Sequence, residues 1–269
     1  MANNKPYAGT QAVLRAIALL MTFSDARPEW TLSQLARAVD LNKTTAYRLL
    51  TALESEGMVS RNADTGAYRL GPEIIALGGR ALRSNDLRSA GHSQLEALAQ
   101  QVGEAATLEI LVGNQVMILE ETPGSYLVAT WQSIGTRYPA HATSTGKVLL
   151  AHLPEAALET VLEVPLAPLT DKTITDPDEL RRQLAQVREQ GYATAAEELE
   201  SDFVAVSAPV RNHDGAVVAA VGVGGPITRM SVDRLPEIAT AVKLTASTIS
   251  SRIGFSDHTR SPGILGEPA

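Results

Sequence analysis

The chain of 269 residues contains no cysteine. Without cysteine it cannot form a disulfide framework, a zinc–thiolate site, an iron–sulfur cluster or a cysteine nucleophile, and this excludes several classes of enzyme and secreted protein. Aromatic residues are also few, with three Phe, two Trp and six Tyr. Hydrophobic residues still make up 44% of the chain, which is enough for one large domain or two ordinary domains with their own cores.

Long hydrophobic runs are missing as well. A charge or a glycine interrupts every apolar stretch well before the roughly 18 residues that a membrane span requires, and the first six residues contain no apolar signal core. We therefore expect a cytoplasmic protein.

Acidic residues outnumber basic ones, but unevenly along the chain. The formal net charge is −7. Residues 1–71 contain eight Lys and Arg against six Asp and Glu, a net charge of +2, so residues 72–269 carry −9. A mildly basic first part followed by an acidic part suggests two domains with different partners.

Helical spacing of apolar residues predicts three short helices near the N-terminus. The first runs from residue 11 to about 23, and its predicted core stripe consists of Val13, Ile17, Leu20 and Met21. Thr31 and Gln34 form a capping box for the second helix. Asn42 can cap the third helix, and Gly57 is placed to end it.

A predicted β-hairpin follows these helices. Residues 58–61 and 67–70 are short β-prone runs, and residues 62–66 form a turn-rich connection. Helix, short turn, capped helix and hairpin in this order predict a winged helix-turn-helix domain.

The third helix has one apolar edge and one edge of hydrogen-bonding side chains. A helix that enters the major groove needs short hydroxyl side chains near its start and a long cation that reaches a guanine or a phosphate, as Thr44, Thr45 and Arg48 would provide. Asn42, Lys43 and the first free N–H groups suit a phosphate, and the hairpin offers further arginines. The predicted DNA-binding residues are Ser33, Asn42, Lys43, Thr44, Thr45, Tyr47, Arg48, Arg61 and Arg69.

Beyond residue 71 the chain alternates helical and strand patterns. We predict a linker helix over 73–89, a helix over 93–102, strands at 106–112, 115–121 and 126–131, helices at 144–152, 155–162 and 177–190, strands at 203–210 and 217–223, and a long helix from 231 to 252. This order favours an α+β domain with a mostly antiparallel sheet. Residues 256–269 are rich in Ser, Pro and Gly and are expected to form a loose tail.

Two glycine-containing segments indicate a binding pocket rather than a catalytic or nucleotide site. Residues 144–146 open a predicted helix, whose free N–H groups favour an anion, and Gly222 and Gly224 leave space over the last strand. Complete phosphate-binding and dinucleotide fingerprints are absent, and so are a nucleophile elbow and histidines at metal-ligand spacing. We therefore expect no enzyme activity, metal or cofactor.

The motifs of the chain, taken in order, resemble the IclR family of bacterial transcriptional regulators. The resemblance covers residues 8–255 and is carried by LSQLARAVDLNKTTAYRLLTAL at 32–53, EGMV at 56–59, YRLG at 68–71, HATSTGK at 141–147, GYA at 191–193, EEL at 197–199, APV at 208–210 and GPITR at 225–229. It implies an effector-binding domain similar to GAF-type sensor folds and dimers that assemble into tetramers.

The resemblance also implies which residues contact an effector. Together with the helix start described above, they are Leu127, Thr130, Tyr138, Ser144, Thr145, Gly146, Phe203, Ala205, Gly222 and Gly224. Relatives that bind small oxoacids have an acidic residue before the Glu-Glu pair and serines on the last strand, whereas this chain has Ala195, Ala196, Gly222 and Gly224. The departure suggests a larger or less polar effector, such as an aromatic carboxylate.

The sequence thus predicts a cytoplasmic, homo-oligomeric transcriptional regulator, a repressor or an activator, whose affinity for double-stranded operator DNA responds to a small-molecule effector. The expected domains are a winged helix-turn-helix at 1–71, a linker helix at 72–89, an effector-binding and oligomerisation domain at 90–255 and a tail at 256–269. Two alternatives stay open. One is a metabolic enzyme with a helical accessory domain, and the other is a protein-interaction module whose third helix docks on a partner protein.

Overall fold

The computed structural model describes residues 10–125 and 134–256. The chain divides into two compact units, Met1–Ser84 and Asn85–Ala269. No helix of the described ranges is long and apolar enough to cross a lipid bilayer.

The first unit is a winged helix-turn-helix, as predicted. Its elements are α1 (Gln11–Leu20), α2 (Leu32–Ala38), α3 (Lys43–Ser55), β1 (Val59–Arg61), β2 (Tyr68–Leu70) and α4 (Pro72–Arg83). The predicted caps start the two central helices: Gln34 Oε1 accepts from Thr31 N–H at 3.0 Å, and Asn42 Oδ1 accepts from Thr45 N–H at 2.8 Å.

A small core holds this unit together. β1 and β2 pair in antiparallel register, and backbone bonds between Trp30 and Tyr68 add a single-residue third strand. The buried core side chains come from α1, α2, α3 and the hairpin, and they are Leu19, Leu35, Leu50, Val59 and Tyr68.

The predicted core stripe of α1 is wrong. Leu19 is the buried residue of this helix, whereas Val13, Ile17 and Met21 are 59%, 50% and 68% exposed. Leu20 packs partly against the core. The helix is short and contacts the core through one narrow edge, so a second apolar edge stays in solvent.

The second unit is an α+β domain. Its elements are α5 (Asp86–Val102), β3 (Ala105–Val112), β4 (Gln115–Thr122), β5 (Arg137–Pro139), α6 (Ser144–Ala151), α7 (Glu155–Leu162), α8 (Pro177–Gln190), β6 (Ala193–Ala196), β7 (Phe203–Arg211), β8 (Val217–Pro226) and α9 (Leu235–Arg252). The strands form one sheet in the order β5-β4-β3-β8-β7-β6, and every described pairing in it is antiparallel.

Helices cover both faces of this sheet. Successive residues of β3 point to opposite faces: Leu108 lies against Gly91 of α5, and Thr107 lies on the face covered by α6. α9 packs beside α5, and α8 packs on α6. A bulge between β3 and β4 shifts the register at Leu108 and Glu109.

The structure corrects three predictions about the elements. The segment predicted as one linker helix over 73–89 belongs to two helices, because Asn85 caps a new helix by accepting from Arg88 N–H at 3.0 Å. The short strands β5 and β6 were not predicted. The last helix begins at Leu235 rather than 231, after a 3₁₀ turn at Val232–Arg234. The strand predicted at 126–131 lies outside the described residues.

The start of α6 depends on a glycine. A Cβ on Gly146 would lie 2.0 Å from the carbonyl oxygen of Ala140, a backbone atom that cannot move aside easily. We expect Gly146→Ala to destabilise the second unit by about 3 kcal/mol in denaturant unfolding.

Gly78 of α4 is the matched control, since a Cβ there meets nothing within 4 Å. Gly78→Ala should leave stability unchanged or raise it by up to about 1 kcal/mol. Equal effects of the two substitutions would contradict the packing role of Gly146.

Candidate functional site

The exposed edge of α3 consists of polar side chains. Ala46 and Leu50 are buried, while Lys43, Thr44, Tyr47 and Arg48 are exposed and Thr45 is half-buried. This arrangement follows from the helical period, which places residues three and four apart on the same edge. The other predicted DNA-binding residues, Ser33, Asn42, Arg61 and Arg69, are exposed as well.

The Lys and Arg side chains of this unit differ in whether other groups of the protein bind them. Within the described ranges, Lys43, Arg48 and Arg69 have neither an ion-pair partner nor a side-chain hydrogen bond. Arg61 Nε donates to Gly66 O at 3.3 Å, and its guanidinium lies 5.7 Å from the centroid of the Tyr68 ring. Lys43, Arg48 and Arg69 are therefore available to an external anion.

The phosphate clamp predicted around Asn42 is smaller than expected. The side-chain oxygen Oδ1 of Asn42 already accepts a hydrogen bond from the N–H of Thr45, so this N–H is not available to a phosphate. The N–H groups of Lys43 and Thr44 and the Asn42 amide NH₂ remain as candidates.

A cavity of about 560 Å³ lies within the second unit. Its floor is the α6-covered face of the sheet, where pairing aligns Glu121, Thr107, Gly222 and Ser207 in one row across four strands. The next row contains Ala105, Gly224, Ala205 and Ala195, all of which lack a large side chain. Small residues in the centre of the sheet therefore create the space.

The roof of the cavity is the beginning of α6. Thr143 Oγ1 accepts from Gly146 N–H at 3.0 Å, and the hydroxyls of Ser144 and Ser207 are 2.6 Å apart. Thr145 donates its hydroxyl to Glu109 Oε2 at 2.7 Å. The helix start, where the sequence predicts an effector's anionic group, is thus bonded to a carboxylate of the protein itself.

Most predicted effector residues meet around this cavity. The structure brings together Tyr138, Ser144, Thr145, Phe203, Ala205, Gly222 and Gly224. Gly146 is a correction: it does not line the cavity, because it packs against Ala140 and its N–H is taken by Thr143. Leu127 and Thr130 lie outside the described residues.

The sequence analysis missed the acidic groups of the cavity. Glu109 is 7% exposed and accepts the Thr107 hydroxyl at 2.7 Å, in addition to that of Thr145. Burial raises the pKa of Glu109, and burial together with the charge of Glu109 raises the pKa of Glu121 to about 7. A signal existed, since Glu109 is the single charge in a strand that is otherwise apolar apart from Thr107.

A buried ion pair stands beside the cavity. Lys147 Nζ lies 2.6 Å from Glu198 Oε1, and it also donates to Gln183 Oε1 at 2.8 Å. Glu198 belongs to the segment that follows β6, whose residues Leu199, Glu200 and Asp202 line the cavity. The pair therefore fixes this segment to α6.

Both units match known families. Residues 12–63 match the IclR helix-turn-helix domain, and residues 79–251 match the bacterial transcriptional regulator IclR C-terminal domain. The regulator XynR of Escherichia coli K12 is 32% identical over 246 residues, which cover 91% of this chain and 98% of that protein. The part of the chain that the structure describes contains no group of three or more His, Asp or Glu placed to hold a metal ion.

Solved structures agree with this match. An IclR transcriptional regulator from Alicyclobacillus acidocaldarius has a TM-score of 0.81 and 29% identity, covering 90% of this chain and 98% of its own. An IclR homologue from Microbacterium hydrocarbonoxydans, solved with 4-hydroxybenzoate, has a TM-score of 0.78 and 30% identity, covering 90% and 99%.

These relatives are transcriptional regulators and not enzymes, which removes the metabolic enzyme from the alternatives. With a DNA-binding unit that presents a polar helix edge and a second unit that encloses a ligand-sized cavity, the chain belongs to the IclR family of bacterial transcriptional regulators.

Proposed function

We propose that two copies of this chain bind an operator through α3 and that an effector in the cavity changes their affinity for it. The observation that carries the proposal is the exposed edge of α3, where Arg48 and Lys43 have no partner among the described residues. Arg48 would contact a base in the major groove, with Thr44, Thr45 and Tyr47 beside it. Lys43, Asn42, Ser33, Arg61 and Arg69 would contact the sugar-phosphate backbone. Because its ligand is DNA, the protein would act in the cytoplasm.

One helix-turn-helix contacts only a few base pairs, so useful affinity requires a second head at a fixed spacing. The apolar edge of α1 supports a dimer, since Val13, Leu14, Ile17 and Met21 are all about half exposed or more. We infer that a second copy covers this edge. Dimers would pair into tetramers, as in the family that the sequence resembles.

The effector would act by preferring one arrangement of the subunits. A ligand that favours one head spacing changes operator affinity by a coupling free energy of about 1–3 kcal/mol. The small residues of the sheet floor leave room for a ring, and the relative that holds 4-hydroxybenzoate supports an aromatic carboxylate as the effector. Besides the small residues of the floor, the side chains proposed to contact the effector are those of Tyr138, Ser144, Thr145, Phe203 and Ala205.

The domain boundaries remain part of the proposal: DNA binding by 1–71, a linker over 72–89, effector binding and oligomerisation by 90–255, and a tail from 256. The two compact units divide inside the proposed linker, at Ser84 and Asn85. The proposed linker is helical on both sides of this boundary, and helical segments are stiffer spacers than a flexible coil.

The base contact is tested with Arg48→Ala. DNA bound by the full chain is first selected from a random pool at fixed salt, and the affinity of each variant is then measured on the selected site and on random DNA. We expect a loss of about 1–3 kcal/mol on the selected site and relaxed preference at one position.

The control is Arg137→Ala, which removes an exposed arginine of the second unit and should leave both affinities nearly unchanged. An equal loss on both DNAs would make Arg48 a phosphate contact. Absence of any salt-sensitive DNA binding would favour the protein-interaction alternative.

The cavity is tested with Gly224→Leu. A Cβ at this position would lie 2.5 Å from Cζ of Phe203, so a leucine would push the ring into the cavity. We expect the response of operator binding to effector to disappear while DNA binding itself is kept. Gly224→Ala should reduce the response less, and a normal response in the leucine variant would remove β8 from the effector site.

The dimer is tested with Ile17→Glu, which places a charge in the exposed apolar edge of α1. We expect a smaller species in sedimentation and a large loss of operator affinity, because one of two heads is lost. Ala157→Glu, which adds the same charge at an exposed position of α7, outside α1, is the control and should change neither. An unchanged mass for Ile17→Glu would place the dimer contact elsewhere.

A further inference from the structure

The cavity contains many more acids than bases. Its described lining includes five acidic side chains, Glu104, Glu109, Glu121, Glu200 and Asp202. Arg229 is its one described basic residue, and the guanidinium binds Glu104 at 2.5 Å and 2.8 Å through two nitrogens. Residues 126–133 contain no Lys, Arg or His that could add a positive charge.

Glu109 and Glu121 are the acidic groups on the sheet floor. They lie on the α6-covered face, near Thr107, which faces Glu121 across the strand pair. Neither carboxylate has an ion-pair partner in the described ranges. Burial raises the pKa of the Tyr138 hydroxyl, and the charges of Glu109 and Glu121 raise it further.

Glu109 has more acceptor capacity than the protein uses. Its side chain is over nine-tenths buried and receives one hydroxyl hydrogen bond on each oxygen. An ionised carboxylate can accept about four hydrogen bonds, so about two acceptor positions remain. A ligand donor that fills one of these positions makes a charge-assisted hydrogen bond, which is stronger in a buried site than in water.

We propose that Glu109, together with Glu121, binds a hydrogen-bond-donating group of the effector, either a hydroxyl or a protonated amine. The proposal rests on the proposed function, since it concerns the effector cavity. A carboxylate placed at this end would face two acidic groups. An effector that has both a donor and a carboxylate therefore turns its donor toward Glu109.

The proposal explains how a cavity with a small-residue floor can still be selective. Apolar contacts discriminate weakly between compounds of similar size. A compound without a donor leaves the spare acceptor positions of Glu109 without a ligand partner, which penalises it relative to a compound that has one. Glu109 is thus a specificity-determining residue, and Thr107 and Thr145 position its carboxylate.

The test uses four compounds that share a benzoate body, with binding to the full chain measured by calorimetry. They are benzoate, 4-hydroxybenzoate, the methyl ether of 4-hydroxybenzoate and the para-aminomethyl analogue of benzoate. We expect the hydroxyl compound, the amine compound or both to bind about tenfold to a hundredfold more tightly than benzoate and the ether. Glu109→Gln should reduce this preference, and Glu121→Gln, at a half-buried position, should reduce it even if the first variant folds poorly.

The control is Glu163→Gln, which makes the same change at an exposed position outside the cavity and should keep the preference. Wild-type chain that binds none of the four compounds, or that binds benzoate and the ether as tightly as the others, overturns the proposal. The same holds if both cavity variants keep the wild-type preference. Operator binding by these variants is measured in parallel, so that a failure of this inference is distinguished from a failure of the proposed function.

The pH dependence of binding distinguishes the two donor groups. The other titratable and charged groups that line the same cavity are Tyr138 from β5, Glu104 just before β3, Arg229 after β8, and Glu200 and Asp202 after β6. The pKa of Glu121 is about 7, so this carboxyl group loses its proton as pH rises through neutrality. The affinity for a protonated amine should then increase, whereas that for a hydroxyl should not. If the affinity for the amine falls as pH rises over this range, the amine does not contact Glu109 and Glu121.

Discussion

The ion pair between Lys147 and Glu198 is the constraint on which the second unit depends most. Lys147 is 1% exposed, and burial lowers its pKa while the charge of Glu198 opposes the shift. Breaking a buried pair by removing one partner typically costs about 3–5 kcal/mol, because the remaining charge is left uncompensated. The bond joins α6 to the segment after β6, and residues of both parts line the cavity. The shape of the cavity therefore depends on it.

Short contacts around its first turn also fix the position of α6. Gly146 allows the helix to approach Ala140, and the hydroxyls of Ser144 and Thr145 bond to Ser207 and Glu109 on the sheet. A ligand that bonds to Glu109 thus lies one hydrogen bond from α6 and two residues from Lys147. The contact to Glu109 and the ion pair that holds the segment after β6 therefore both belong to the first turns of the same helix.

Local features of the sequence predicted most helices and strands, but not which of them pack or pair with one another. Asn42, Gly57 and the capping box act within a few residues, so α2 and α3 were predicted correctly. β6 is made of Ala and Thr, which have no strong strand pattern, and it is a strand because β7 pairs with it. Glu109 is bonded to Thr145, which is distant in the chain, and it lies at the bulge between β3 and β4, so its surroundings were not predictable from its own strand. Resemblance to a family, rather than periodicity, predicted Phe203 and Ala205.

The error in α1 shows what hydrophobic periodicity measures. The stripe through Val13, Ile17 and Met21 was correctly recognised as an apolar edge, but the inference that it faces the core of its own unit was wrong, because Leu19 occupies that place. Periodicity reports that an edge avoids water and says nothing of which chain covers it. A short helix with two apolar edges can pack one edge against the core of its own unit and the other against a second copy of the chain. The proposed dimer would give this second edge its function, since a regulator that reads two half-sites needs its heads at a fixed spacing.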